Sequence, residues 1–180
     1  MACAALARGE KLVFSHAPEG FDAFLCSDLT RARARQAEGS EAVFVHVARD
    51  AARSAAFREA LRFAAPEFEI LDIPGWDCQP YDRVSPHAGL VARRMTALSR
   101  LTRAKSSAEK PRIVTTTIDC LLQRTPPYKM VAAESFSAAP GNIVKLDALT
   151  LWLEANGYLR ASVVRETGEY AQRGGLIDLF

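Results

Sequence analysis

Between a first apolar run and a first helix, the loop Phe14-Ser15-His16-Ala17-Pro18-Glu19-Gly20-Phe21-Asp22 stands where backbone N–H groups and a lysine would cradle phosphates. Its residues argue against that chemistry. There is one glycine, no lysine, and no Ser or Thr after the glycine; Glu19 repels a phosphate and Pro18 has no N–H to give. Ser85, His87 and Asp82 lie close together, but a nucleophile, its base and the orienting acid normally come from separate elements, so they read as capping and loop-packing residues. His46 lies in an apolar run and reads as a hydrogen-bonded core residue, while His16 has no Cys, Asp or Glu partner at useful spacing. Cys3, Cys26, Cys78 and Cys120 form no C-x-x-C pair and have no His at metal-ligand spacing. They read as reduced thiols, Cys26 and Cys120 as small hydrophobes on apolar faces. No catalytic, cofactor-binding or metal residue is expected in this chain.

Composition narrows the class further. With 180 residues, 49% hydrophobic and 24% charged, the chain can bury a core and is neither disordered nor fibrous. Lys+Arg number 23 against Asp+Glu 21, a net charge of +2, too small a field to collect nucleic acid nonspecifically through Arg31, Arg33 and Arg35 or Arg93, Arg94 and Arg100. The opening MACAALARGEK is too short in its apolar part for a signal segment or a membrane span, so a soluble cytoplasmic protein without membrane contact is expected.

The elements that must position any site follow from periodicity. Lys11 to Ser15, Ala42 to Ala48 and Phe68 to Ile73 read as strands, and Phe21 to Gln36 and Ala51 to Ala65 as helices, which is the pattern of parallel β-α-β units. In the first helix Phe21, Phe24, Leu25, Leu29 and Ala32 make one apolar stripe. Asp50 caps the second and Pro66 stops it. AVFVHVA suits a central strand covered on both faces. Pro74 to Asp82 is a loop carrying two large aromatics; it feeds Ser85-Pro86, a cap followed by Pro at the first helical position. The helix behind it has Val91, Met95, Leu98 and Leu101 inward and Arg93, Arg94 and Arg100 outward. Arg103 to Lys110 is a polar linker, Arg112 to Thr117 a fourth strand, and Ile118 to Arg124 a short helix ending at Pro126-Pro127.

Those prolines mark the expected division into an α/β domain, 1–125, and a small α+β domain, 126–180. In the second, Met130 to Ala138 reads as a strand, Pro140-Gly141-Asn142 as a turn, and Asp147 as the cap of a helix with Leu149, Trp152 and Leu153 inward and Gly157 as terminator. Leu159 to Arg165 and Glu169 to Phe180 read as two strands around Glu166-Thr167-Gly168. The apolar ending GLIDLF is unlike the polar tails of most domains and leads to the expectation of a piece of a longer protein.

Two segments carry a resemblance. Trp76-Asp-Cys-Gln-Pro-Tyr81-Asp82-Arg83-Val84-Ser85-Pro86-His87 with its helix, and Gly168-Glu169-Tyr170-Ala171-Gln172-Arg173-Gly174-Gly175-Leu176-Ile177-Asp178-Leu179-Phe180, are similar to the W-x-x-x-P-Y-D-x-x-S-P-H and G-E-[YF]-x-x-R-G-[GA]-[LI]-[LI]-D-[LI]-F stretches of the Mfd family, the bacterial transcription-repair coupling factors. The resemblance runs from about Gly9 onward and points to that family's N-terminal, UvrB-like module. UvrB itself resembles it less: UvrB has an intact P-loop and a DNA-clamping hairpin after its Y-D motif, and this chain has neither.

The resemblance implies a noncatalytic module with a degenerate P-loop domain followed by a domain that docks UvrA. It implies no cofactor here, ATP and magnesium serving motor domains elsewhere in a translocase family that meets RNA polymerase and DNA through other parts. It places the UvrA contact on Arg173, with Glu169, Tyr170, Gln172, Gly174 and Gly175 as neighbours. An Arg on a strand can bind a partner carboxylate in bidentate fashion, and the glycine pair lets the backbone bulge towards it. By strict alternation Tyr170 shares a face with Leu176 and Phe180, which favours a core role for it. The alternative is a nucleotide-binding α/β protein, or a damage-recognition protein of the UvrB type.

Overall fold

The computed structural model describes residues 2–36, 43–79, 81, 83–103 and 111–180. Three short strands, β1 (Phe44–Ala48), β2 (Glu69–Ile73) and β3 (Arg112–Thr117), form a parallel sheet in the order β1-β3-β2. The central place goes to β3, the run richest in β-branched residues, and every one of its residues is buried. After the short helix α1 (Ala2–Ala7), helices α2 (Phe21–Gln36) and α3 (Ala51–Ala64) cover one face, where Ala23, Phe57, Leu61, Ala65, Phe68 and Ile113 make a core. On the other face α4 (Ala88–Thr102) packs Ala97 on Leu71 and Val114. Each large apolar side chain so buried contributes on the order of 2 kcal/mol. Asp50 caps α3 as expected, accepting a 2.8 Å bond from the Arg53 N–H that holds its carboxyl below the usual range.

Several expectations for this half are corrected. Lys11 to Ser15 forms no strand: the segment is irregular and exposed, because no sheet edge is hydrogen-bonded to it and β-propensity needs such a partner. Phe44 to Ala48 of the AVFVHVA run form an edge strand rather than a central one, and Val45 and Val47 are exposed beside the face that α4 covers. In α2 the buried residues are Ala23, Ser27 and Thr30, while Phe21 and Phe24 are exposed. Small side chains permit close approach to α3, and the hydroxyls of Ser27 and Thr30 donate to Phe24 O (2.8 Å) and Cys26 O (2.7 Å), so their burial leaves no unpaired donor. The cap of α4 is His87, whose Nδ1 accepts from the Gly89 N–H at 3.1 Å, in place of the expected Ser85. Arg94, expected outward, is 2% exposed. Most of the linker Arg103 to Lys110 lies outside the described residues, as do Pro80 and Asp82.

After β3 the chain continues through α5 (Ile118–Leu121) and α6 (Tyr128–Ala133). The expected strand from Met130 to Ala138 is therefore absent: a helical turn starts after Pro127, buries Val131, and packs on α4, with Tyr128 Oη donating to Thr102 O (3.0 Å) and Ser135 Oγ to Ser99 Oγ (2.8 Å). The turn at Pro140-Gly141 is present, with Gly141 at a φ of 89°. Helix α7 (Leu146–Ala155) follows, with Leu149 and Leu153 buried as expected, but Asp147 lies inside its first turn and Lys145 occupies the cap position.

Three strands complete the second sheet: β4 (Leu159–Arg160), β5 (Glu169–Arg173) and β6 (Leu176–Leu179), in the order β4-β5-β6. Where one strand from Glu169 to Phe180 was expected there is a hairpin, because Gly174 takes a φ of 58° and Gly174-Gly175 turns the chain back. β4 is shorter than expected and pairs parallel to β5, antiparallel pairing being confined to β5-β6. One face is packed on α7 by Tyr170 and Ile177 against Leu149, Leu153, Trp152 and Tyr158. Among the described residues no helix is long and apolar enough to cross a membrane.

Candidate docking surface

The β5-β6 hairpin sorts the expected contact residues by pairing register. Across it Tyr170 faces Leu179, Ala171 faces Asp178, Gln172 faces Ile177 and Arg173 faces Leu176. Opposed side chains share a face, so Tyr170 and Gln172 lie on the α7 side with Ile177, and Arg173 lies on the other with Leu176 and Asp178. The expected grouping of Tyr170 with Leu176 and Phe180 is thus corrected: the two-residue turn resets the register. Tyr170 is fully buried, and its hydroxyl donates to Glu154 Oε1 at 2.7 Å, a bond that raises the phenol's pKa.

Glu169 is engaged locally. Its Oε2 accepts the N–H groups of Arg165 (2.8 Å) and Glu166 (3.0 Å), which hold the carboxyl below its ordinary range. Gly174 and Gly175 are exposed at the turn, and a Cβ on either would meet no atom within 4 Å. Arg173 is different: its side chain is 62% exposed, with a single ion-pair contact among the described residues, from Nη2 to Asp178 Oδ2 at 3.8 Å. Leu176 is exposed opposite it, and Phe180 is exposed at the other end of the hairpin, opposite Glu169. The result is a cation and an anion standing exposed beside Leu176, on a strand face that also carries Glu169 and the buried Ala171, the makeup of a polar anchor at the edge of a contact. Asp178, Leu176 and Phe180 were missed as candidates. The hairpin signal Gly174-Gly175 between alternating apolar residues could have found them.

The loop from Pro74 is explained by Arg94. Its Nη1 donates to Pro74 O (2.6 Å), Cys120 Sγ (3.0 Å) and Gln123 Oε1 (3.1 Å), and its guanidinium carbon lies 4.1 Å from the centroid of the Trp76 ring. Gln123 Oε1 also accepts the Trp76 N–H at 3.1 Å, and Asp77 accepts the His87 N–H at 3.2 Å, so both ends of the segment are tied. Tyr81, at a φ of 75°, projects fully into solvent. This constellation holds a loop in place and offers no free reactive group.

A cleft of about 630 Å³ opens at the end of β1, lined by Glu19, Asp22, His46, Arg49, Arg53 and Phe57 among others. Arg53 Nη1 is 3.0 Å from Glu19 Oε1, and Arg49 Nε 2.9 Å from Asp50 Oδ2, so both cations are paired with carboxylates of this chain. His46 stacks on Phe57 with centroids 3.5 Å apart; its Nε2 lies 3.6 Å from Asp22 Oδ2 and its buried Nδ1 has no hydrogen-bond partner among the described residues. Burial lowers its pKa against the pull of Asp22. Cys26 is pushed up to about 11 by burial and by Asp22, so it is an unreactive thiol. Among the described residues no group of three His, Cys, Asp or Glu side chains is arranged to hold a metal ion.

No protein-family model matches the chain. Curated proteins do. The chain is 36% identical over 112 residues to the transcription-repair-coupling factor of Haemophilus influenzae, a match covering 62% of this chain and 9% of that protein. It is 30% identical over 111 residues to the factor of Escherichia coli, again 62% and 9%, and 31% identical over 123 residues to that of Rickettsia conorii, 68% and 11%. The chain thus spans about a tenth of the length of the relatives it matches.

Proposed function

The chain belongs with the transcription-repair-coupling factors over the stretch it shares with them, and on that premise we propose that it is a noncatalytic docking module that binds the excision-repair protein UvrA and so links repair to stalled RNA polymerase. In this reading residues 1–125 are a degenerate UvrB-like scaffold and residues 126–180 carry the contact. ATP, magnesium, DNA translocation and the RNA polymerase contact belong to other domains of the full-length family. The observation that carries the reading is Arg173, exposed near the turn of the hairpin with Leu176 opposite it. A guanidinium there is free to take a partner carboxylate with two parallel bonds, and Leu176 supplies apolar contact that excludes water around them.

Calorimetric titration of the chain into purified UvrA tests this. We expect binding by the wild type and a loss of about 2 kcal/mol in Arg173→Ala, both proteins first checked for native circular dichroism. A folded chain that does not bind, or an Arg173→Ala variant that binds as well as wild type, overturns the reading. The alternative, a nucleotide site at His16 to Asp22, is favoured only by the cleft at that loop. Its mark would be heat from ATP binding that disappears in Arg53→Ala.

A further inference from the structure

We infer that the partner surface meeting Arg173 carries a carboxylate and a neighbouring cation together, the second being read by Asp178. This deepens the docking reading above and rests on it. Arg173 and Asp178 share the open face of the β5-β6 hairpin and stand 3.8 Å apart, each 62% exposed. At that distance the pair makes no hydrogen bond, so Arg173 keeps its donors and Asp178 its acceptor sites for another molecule. The two are held in fixed relation by the strand pairing, since Asp178 opposes Ala171 and Arg173 lies two residues further along β5.

A partner presenting a carboxylate alone would bring it close to Asp178 as well as to Arg173. The repulsion grows as Leu176 is covered and water leaves, because screening falls with it. An acid with no adjacent base is therefore poorly accommodated. A partner that sets a Lys or Arg against Asp178 turns that repulsion into a second attraction and leaves neither charge buried without a counter-ion. The fitting patch is an Asp or Glu beside a Lys or Arg, with an apolar residue that meets Leu176. Glu169, on the same face of β5, has its Oε2 occupied by two backbone N–H groups.

The test is calorimetric titration of purified UvrA with the wild-type chain, Asp178→Asn and Asp178→Lys. Asp178 is exposed and its removal leaves no buried group unpaired, so the variants are expected to fold, with circular dichroism as the check. Asp178→Asn should weaken binding about 10-fold and Asp178→Lys about 100-fold or more. Equal or tighter binding by Asp178→Asn, with Arg173→Ala still weakened, overturns the inference and leaves the docking reading standing, since Asp178 would then be only a competitor for Arg173. No binding by the wild-type chain overturns the docking reading and this inference with it.

Discussion

Arg94 and Arg173 are both arginines on regular elements, each beside a tryptophan loop or a glycine turn that the sequence marks out, and they do opposite work. Arg94 sits on α4 at 2% exposure, with three neutral acceptors and the face of Trp76 around its guanidinium. Arg173 sits at the end of β5, most of its side chain in water and one weak contact to Asp178. The first helps hold the Pro74 segment against the parallel sheet; the second holds nothing in this chain together. An exposed pair at 3.8 Å is worth well under about 1 kcal/mol to folding. A buried arginine whose acceptors depend on it is worth far more, because its loss strands them. On the proposed docking reading, stability and recognition are therefore carried by different arginines, and substitutions can show how completely.

The largest effect is expected from Arg94→Met, which keeps the bulk but takes the guanidinium donor from Pro74 O and leaves Gln123 Oε1 with the Trp76 N–H alone. Urea denaturation should show a loss of about 3 kcal/mol; an unchanged midpoint would erase the contrast with Arg173. On the same measurement Arg173→Ala should stay within about 0.5 kcal/mol of wild type while costing about 2 kcal/mol in UvrA binding. Tyr170→Phe removes the hydroxyl bond to Glu154 and nothing else from the α7 face, so a loss of about 1 kcal/mol in stability with binding unaltered is expected. Gly174→Ala places a Cβ at a φ of 58° and should cost about 1 kcal/mol, with no steric clash to add to it.

The smallest effect is a pH dependence in the first half. Burial sets the pKa of His46 below its unfolded value, so the folded chain takes up the proton less readily than the unfolded one. Its contribution to stability is present above the unfolded pKa of about 6.5 and is lost as the pH falls through the folded one. The difference in melting temperature between pH 7.5 and pH 5 should be smaller in His46→Gln than in wild type. A larger difference in the variant would mean that Asp22 dominates and that the protonated imidazole is stabilising.

Local signals in the sequence carried a good part of this architecture. The Asp50 cap, the β-branched run at Arg112 to Thr117 and the stripe of Leu149 and Leu153 are set by side-chain chemistry within a few residues, and the alternation of strand and helix around them was legible as a parallel α/β unit. Lys11 to Ser15 failed as a strand because strand formation is settled by a neighbouring edge. Met130 to Ala138 failed because a surface on α4 was available for a helical turn to cover. The Trp76 and Arg173 segments could be singled out by composition and by likeness to a family, but not which face each residue would take.

What the sequence by itself determined is the α/β class of the fold and the segment from Glu169 to Phe180 as one to watch. What only the tertiary structure decided is which arginine is buried, that Glu169 is spent on its own turn, and that Asp178 stands beside Arg173. The physical reason is range: caps, turns and propensities act over three or four residues. Burial and charge pairing depend on elements far apart in the chain, so that Arg94 and Cys120, 26 positions apart, come within 3.0 Å of each other.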